Sequence, residues 1–372
     1  MSIQISRFLS QKLRFYTFIS IVLLLFVHGY NLKWTYLQPG SSVNEKLTFT
    51  TFFEYFLANG LLRFRIPLLF LISGFIYAMQ DKKPYGEQVG KRARTLLIPY
   101  LVWSAIGLAV TFLWQQFPVT AQAVADATLD QLGDNRPYTD IGWPGIIKRW
   151  ILTPISFQLW FILALFLYDL FYPFISWILK KYAYWWFGIT FLIWVFELSF
   201  LVVDGRGLFF FSFGIWLQKT NFNLEKKPEW LSLYIVWLLF IGLSVIKTFM
   251  AFELEPGTHL TYWTLNLLHQ GAVLSGILAV WYGADAVVRW CMRQQWFLWS
   301  SSFSFFIFGL HVPLVVYITR LLYIYISNVP NYRLLTYFIA PALTLLICIG
   351  LAALTRRVFP GFYRWATGGR GF

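Results

Sequence analysis

Long apolar runs separated by short polar breaks recur along the whole chain. A helix crosses the roughly 30 Å hydrocarbon core with about 20 mostly apolar residues, each rising about 1.5 Å. Segments that meet this requirement centre on Phe15–Tyr30, Leu61–Met79, Leu96–Trp114, Phe157–Ile178 and Ala183–Val203. Five more follow at Gly207–Leu217, Trp230–Ala251, Leu265–Ala284, Trp296–Tyr325 and Leu334–Thr355. The run at Gly207–Leu217 is short but too apolar for a loop, and snorkelling flanks or local thinning accommodate short spans. The pattern predicts an all-α polytopic membrane protein of about ten transmembrane helices. The first run is read as a helix and not a cleaved signal, because no small-residue cleavage site follows it at His28-Gly-Tyr-Asn-Leu-Lys.

No repeat or extramembrane domain interrupts the series. One domain over residues 1–372 is expected, with a membrane core at about 15–355 and a basic cytoplasmic tail at 356–372. The longest outside loop, Gln115–Ser156, carries Asp126, Asp130, Asp134 and Asp140, and its Ala121–Leu132 stretch suits a short surface helix. Lid, acceptor contact and plain connection all remain open for it.

Composition agrees with the pattern. Of 372 residues, 58% are hydrophobic and only 12% charged, about half the charge of a soluble domain. That excludes a soluble globule, a disordered tail and a nucleic-acid arm. The net charge of +14 reflects membrane topology. Assigned to alternating sides, nineteen of the thirty Lys and Arg fall on the side of the N-terminus and seven on the other. Arg63, Arg65, Lys247 and Arg320 lie within spans. The bias places both termini in the cytoplasm, in a cell membrane and, for a bacterium, the inner one. Cys291 and Cys348, 57 positions apart, give no zinc spacing, redox pair or disulfide framework.

Ionisable groups inside spans are costly and usually face a polar cavity or a partner. His28, 14 residues beyond Arg14, stands about 21 Å above the inner edge. The same arithmetic puts Arg65, His311 and Glu197 at about 22 Å, with Arg63 about 3 Å further out. Depth is necessary for a shared site and not sufficient. His28 reads as a functional group or as an interfacial histidine. Arg63 and Arg65, about 200° apart on a helix, read as lining a polar cavity or as snorkelling. His311 precedes Pro313 and can instead bond a carbonyl freed by the helix distortion. Lys247 and Arg320 are expected to snorkel, and Asp169 and Glu197 can serve as structural partners for arginines.

Five segments together resemble a family. Arg63-Phe-Arg-Ile-Pro-Leu-Leu-Phe-Leu-Ile-Ser-Gly-Phe75 resembles the second-helix signature of the acyltransferase-3 integral membrane family. Lys91-Arg-Ala-Arg-Thr-Leu-Leu-Ile-Pro-Tyr-Leu-Val-Trp103 resembles its basic entry to the third helix. Gln158-Leu-Trp-Phe-Ile-Leu-Ala-Leu165, Phe211-Ser-Phe-Gly-Ile-Trp216 and Ser304-Phe-Phe-Ile-Phe-Gly-Leu-His-Val-Pro-Leu314 resemble three later segments, in order. The nearest likeness is to the small members without a fused hydrolase domain, including glucan succinyltransferases. The resemblance implies transfer of an acetyl or succinyl group from cytoplasmic acyl-coenzyme A to a hydroxyl of an envelope glycan or lipid-linked saccharide. It also implies an essential histidine at His28 and an Arg-x-Arg pair at Arg63 and Arg65. The family's basic residue eleven positions before the histidine is Thr17 here, with Arg14 one turn earlier. Gln158 replaces the family's common histidine and is assigned no catalytic duty.

The chemistry stands on its own terms. Acyl transfer from a thioester needs a base for the acceptor hydroxyl and donors for the developing oxyanion. His28 is assigned the base or acyl-carrier role, and Arg63 and Arg65 bind an acidic group or the oxyanion. Lys91, Arg92 and Arg94 are candidates for the coenzyme phosphates, with positive-inside charge as the bland alternative. His311 and Glu197 are candidate substrate contacts. Acyl-coenzyme A is expected as a donor substrate, with no resident cofactor, no metal and no nucleic-acid partner; the bilayer is the other partner. The rivals are a glycan transporter or flippase lined by intramembrane Arg and His, and a scaffold with degraded catalytic groups. No phosphate loop or Ser-His-Asp order points to a hydrolase.

Overall fold

The computed structural model describes residues 5–30, 38–80, 84–127, 138–200 and 202–371. Lys33, Lys82, Lys83 and Arg136, which are among the thirty Lys and Arg counted above, and Asp130 and Asp134 of the long loop lie outside them. The described elements are almost all helical. They begin with α1 (Arg7–His28), α2 (Phe49–Ala78), α3 (Tyr85–Gln115), α4 (Pro118–Ala127), α5 (Tyr138–Ile151), α6 (Phe157–Leu170) and α7 (Tyr172–Val195). A two-stranded hairpin, β1 (Ser199–Phe200) and β2 (Val203–Asp204), pairs Ser199 with Asp204. Next come α8 (Gly205–Lys219), α9 (Leu233–Glu253), α10 (His259–Gly283), α11 (Asp285–Cys291) and α12 (Gln295–Ser301). The chain ends with α13 (Ser304–Ile326), α14 (Tyr332–Val358) and α15 (Pro360–Ala366).

Seven of these, α1, α2, α3, α9, α10, α13 and α14, are long and apolar enough to cross a membrane; the pair α6–α7, bent by 64°, makes eight if counted as one. The chain is therefore an all-α polytopic membrane protein. Its segmentation differs from the hydropathy reading in several places. The run assigned to a fifth span begins just after the non-helical Tyr182 inside α7 and is helical only as far as Val195, where Gln270 Nε2 donates to the carbonyls of Trp194 and Val195. The sixth is a helix of 15 residues, about 22 Å long. The ninth is two helices, α12 and α13, parted at Ser302-Phe303, where serines offer the backbone competing hydrogen bonds. In the long loop, α4 covers the first part of the anticipated surface helix, and α5 was not anticipated.

Two compact units make up the chain. The first comprises residues 1–20, 37–92 and 164–301. Its closest packing is reciprocal: a Cβ on Gly74 of α2 would lie 2.1 Å from the Phe211 carbonyl oxygen of α8, and one on Gly214 of α8 would lie 2.1 Å from that of Leu71. Small residues let two backbones touch where lipid offers no hydrophobic drive to associate. Lys12, fully buried in α1, pairs with Asp285 of α11 at 2.6 Å.

The second unit comprises residues 21–36, 93–163 and 302–372. Trp103 of α3 packs over Gly309 of α13 and donates its indole N–H to the Ala366 carbonyl at 2.8 Å. Arg370 donates to the Thr95 carbonyl, also at 2.8 Å, and Arg356 to Ser302 Oγ and the Gly371 carbonyl at 3.0 Å. The basic C-terminal stretch is thus folded onto its unit by its own arginines.

Candidate active site

In the second unit, α13 is broken at Val312 (φ −107°, ψ 131°), one residue before Pro313. Proline supplies no N–H, and the break releases carbonyls that a helix would otherwise satisfy. Ser156 Oγ donates to the Val312 carbonyl at 2.9 Å. Gln158 Nε2 reaches the carbonyls of Phe308, Gly309 and Val312 at 3.2, 3.1 and 3.2 Å. Gln158 thus acts as a structural clamp on the broken turn.

His311 is fully buried, and its Nδ1 donates to the carbonyls of Ile307 and Phe308 at 3.1 and 2.9 Å. A carbonyl can only accept, so the neutral ring carries its proton on Nδ1 and presents a lone pair on Nε2. The anticipated bond to a freed carbonyl is present. His28, the last residue of α1, stacks on this ring at 5.5 Å between centroids and 30° between planes. Phe157 meets the His28 ring edge-on at 4.8 Å. Two of the four histidines thus stack on each other, and an aromatic ring packs against one of them. His311 lies seven residues into a 23-residue helix, so its partner His28 is held against the body of a span.

In the first unit, α2 departs from α-geometry where the arginines lie. A π turn at Phe56–Gly60 is followed by a 3₁₀ turn at Leu61–Phe64, and regular helix resumes at Arg65. Such irregular turns gather at functional sites and are tolerated in a membrane only where protein or a cavity satisfies them. Arg65 is buried and donates to the Leu62 carbonyl, while Arg63 is half-buried. Lys247 of α9 donates to the Asn59 carbonyl at 2.8 Å, with the Tyr55 ring 5.5 Å from its ammonium. His269 of α10 is buried, within electrostatic range of Lys247, Arg63, Arg206 and Arg65. Arg206 is paired with Asp204 at 2.6 Å.

The expectation that Lys247 and Arg320 snorkel is overturned. Lys247 is 0% and Arg320 1% exposed, each enclosed in its own unit. A lone lysine in an apolar run looks the same to hydropathy whether it reaches outward or inward; only the helix face decides. His269 was not singled out either, although Tyr262, Asn266, His269 and Gln270 recur at helical spacing on α10 and mark a polar face.

Glu197 lies just past the end of α7, with φ 50°, and is exposed. It accepts from the Tyr262 hydroxyl at 3.2 Å. Tyr262 also lines a cavity of about 460 Å³ with Gly40, Ser41, Ser42, Thr258 and His259. Of the basic segment, Lys91 and Arg94 are exposed. Arg92 pairs with Asp169 at 3.3 Å and lies over the Tyr77 ring at 4.7 Å; the structural partnership foreseen for Asp169 is realised there.

These features define a helical membrane protein with imidazole and guanidinium groups held inside its units. Residues 14–353 match the acyltransferase domain of the acyltransferase-3 family, and the chain belongs to that family. It is an acyltransferase embedded in the membrane. A relative is the succinoglycan biosynthesis protein ExoH of Rhizobium meliloti (strain 1021), 24% identical over 355 residues, covering 93% of this chain and 89% of the relative. No solved structure matches the chain.

Proposed function

We propose that this acyltransferase moves an acetyl or succinyl group from cytoplasmic acyl-coenzyme A to a hydroxyl of an envelope glycan or lipid-linked saccharide in a bacterial inner membrane. The observation that carries the proposal is the His28–His311 pair. One imidazole is fixed in its tautomer by backbone carbonyls, and the other stacks on it at the end of α1. His28 takes the proton of the acceptor hydroxyl as that oxygen attacks the thioester carbon. The carbon–sulfur bond then breaks, and the coenzyme thiolate leaves and receives the proton. An acyl-histidine formed first on His28 uses the same ring in two steps. His311 positions His28 and contacts the substrate.

Arg63 and Arg65 supply the donors for the developing oxyanion or for an acidic substrate group. Lys91 and Arg94 bind the coenzyme phosphates, with Arg92 held beside them in sequence by Asp169. The cavity beside Tyr262 offers hydroxyls and a ring face suited to a saccharide, with the Glu197 carboxylate at its tyrosine. The likeness to a protein of succinoglycan biosynthesis favours a polysaccharide acceptor. For topology, α6 with the first piece of α7, the second piece of α7 and the 15-residue α8 bring the crossings to ten, with both termini cytoplasmic, in line with the Lys and Arg bias.

Mass spectrometry of surface glycans from cells with and without this protein tests the reading. A gain of an acetyl or succinyl mass that depends on the protein is expected. Glycan movement across the membrane with no acylated product replaces the proposal with the flippase reading.

A further inference from the structure

A second cavity of the first unit, about 340 Å³, lies among α2, α8, α10 and the loop 220–232 that joins α8 to α9. Its walls include Leu71 of α2, Phe213 and Trp216 of α8, and Leu274 and Leu278 of α10. The loop closes it with Leu224, Pro228 and Trp230. Among the described residues, no charged, amide or aliphatic hydroxyl side chain lines it. Water entering such a site finds no hydrogen-bond partners, and an empty site forfeits the dispersion contacts of its walls. A hydrocarbon chain restores those contacts and buries no polar group. The pantetheine arm of a coenzyme brings amides, which would be buried here without partners.

The roof of this cavity is held in place. Trp281 of α10, itself a lining residue, donates its indole N–H to the Leu224 carbonyl at 2.9 Å. Asn223 Oδ1 accepts from the backbone N–H groups of Glu225 and Lys226 at 3.0 and 3.1 Å. Glu225 accepts from the Ser6 hydroxyl at 2.6 Å, and Lys227 donates to the Leu231 carbonyl at 2.6 Å. Lys226 and Lys227 therefore stand, both exposed, between two residues that line the cavity. The Lys226 ammonium is 3.7 Å from Glu229, which is 92% exposed; such a surface pair is worth little and leaves the lysine available to a stronger partner.

We propose that this cavity binds an anionic phospholipid of the cytoplasmic leaflet, with one fatty acyl chain between α8 and α10 and the phosphate at Lys226 and Lys227. The Lys and Arg bias assigns this loop to the cytoplasm, where basic pockets between membrane helices take anionic headgroups. Trp230, 77% exposed, and Tyr282 border the cavity, and both residue types gather at the level of the headgroups. The chain also touches Leu68, three residues beyond Arg65, so the bound lipid braces α2 just past its irregular turns. Binding of this kind needs no acyl transfer and stands or falls separately from the reading above.

The test places the full chain in phosphatidylcholine nanodiscs containing phosphatidylglycerol with a photoactivatable acyl chain, and maps the cross-linked peptides by mass spectrometry. Labelling is expected to concentrate in residues 209–217 and 274–282, and to be competed by unlabelled phosphatidylglycerol but not by added phosphatidylcholine. Lys226→Gln combined with Lys227→Gln is expected to weaken that competition about 10- to 30-fold, as for two lysines near an anionic surface. Leu278→Trp, which fills the cavity, is expected to abolish labelling there without lowering the melting temperature. Should that variant fail to fold, wild type and the double lysine variant decide alone. Labelling spread evenly over the lipid-facing helices, equal competition by both phospholipids, or unchanged competition in the lysine variant overturns the proposal. Stronger competition by a polyprenyl phosphate than by phosphatidylglycerol overturns it in favour of the tail of a lipid-linked saccharide.

Discussion

Gln158 stands where the family's common residue is histidine, and its amide is spent on three carbonyls of a broken helix. Replacing it by leucine takes that donor from the Gly309 carbonyl, while Val312 keeps Ser156 Oγ and Phe308 keeps His311 Nδ1. Gln158→Leu is expected to destabilise the protein by about 1–3 kcal/mol, read as a lower melting temperature in detergent. An unchanged melting temperature would show that the Gly309 carbonyl finds another partner. At this scale the chain was partly legible. His28, Arg63 and Arg65 stood out because ionisable groups are scarce in apolar runs, and His311 because a proline follows two positions later. Lys247 was visible too, but burial depends on which face of α9 meets its neighbours, and an all-round apolar helix gives no such face. The partnership of Gln158 depended on a break at Val312 that contacts far along the chain stabilise.

The helices themselves were located by hydropathy, and their ends and kinks were not. α2 was read from Leu61, whereas it starts at Phe49 and passes through a π turn and a 3₁₀ turn before Arg65. No apolar periodicity distinguishes such turns, which exist because neighbouring groups, among them the Lys247 ammonium, use the carbonyls they expose. The division of α12 from α13 was written in three serines that the apolar average concealed. Packing between elements was legible only as glycines in two of the family's motifs. Gly74 and Gly214 hold α2 and α8 in backbone contact, so Gly214→Val is expected to cost at least about 1–3 kcal/mol through overpacking. The measurement is the yield and melting temperature of folded protein in detergent; a variant that matches the wild type would contradict the close contact.

For the whole molecule, charge and hydropathy named the class, a multi-pass helical membrane protein, and five short motifs named the family that the acyltransferase domain match establishes over residues 14–353. The division into two units was not legible, because each unit is assembled from three separated stretches of chain and no linker or composition shift marks their borders. The topology has its own test. A green fluorescent protein fused to the C-terminus is expected to fluoresce, and alkaline phosphatase inserted after Glu255 to be active, as positive-inside charge requires. A dark C-terminal fusion would reverse the orientation and with it the side from which acyl-coenzyme A enters.

The most direct measurement is single-turnover transfer from labelled acyl-coenzyme A to a glycan acceptor in membranes holding wild type or His28→Ala at matched amounts. Removing a general base typically costs about 10²- to 10⁴-fold in rate, and a loss in that range is the predicted result. Transfer by His28→Ala at the wild-type rate would contradict the assignment of the chemistry to the imidazole at the end of α1.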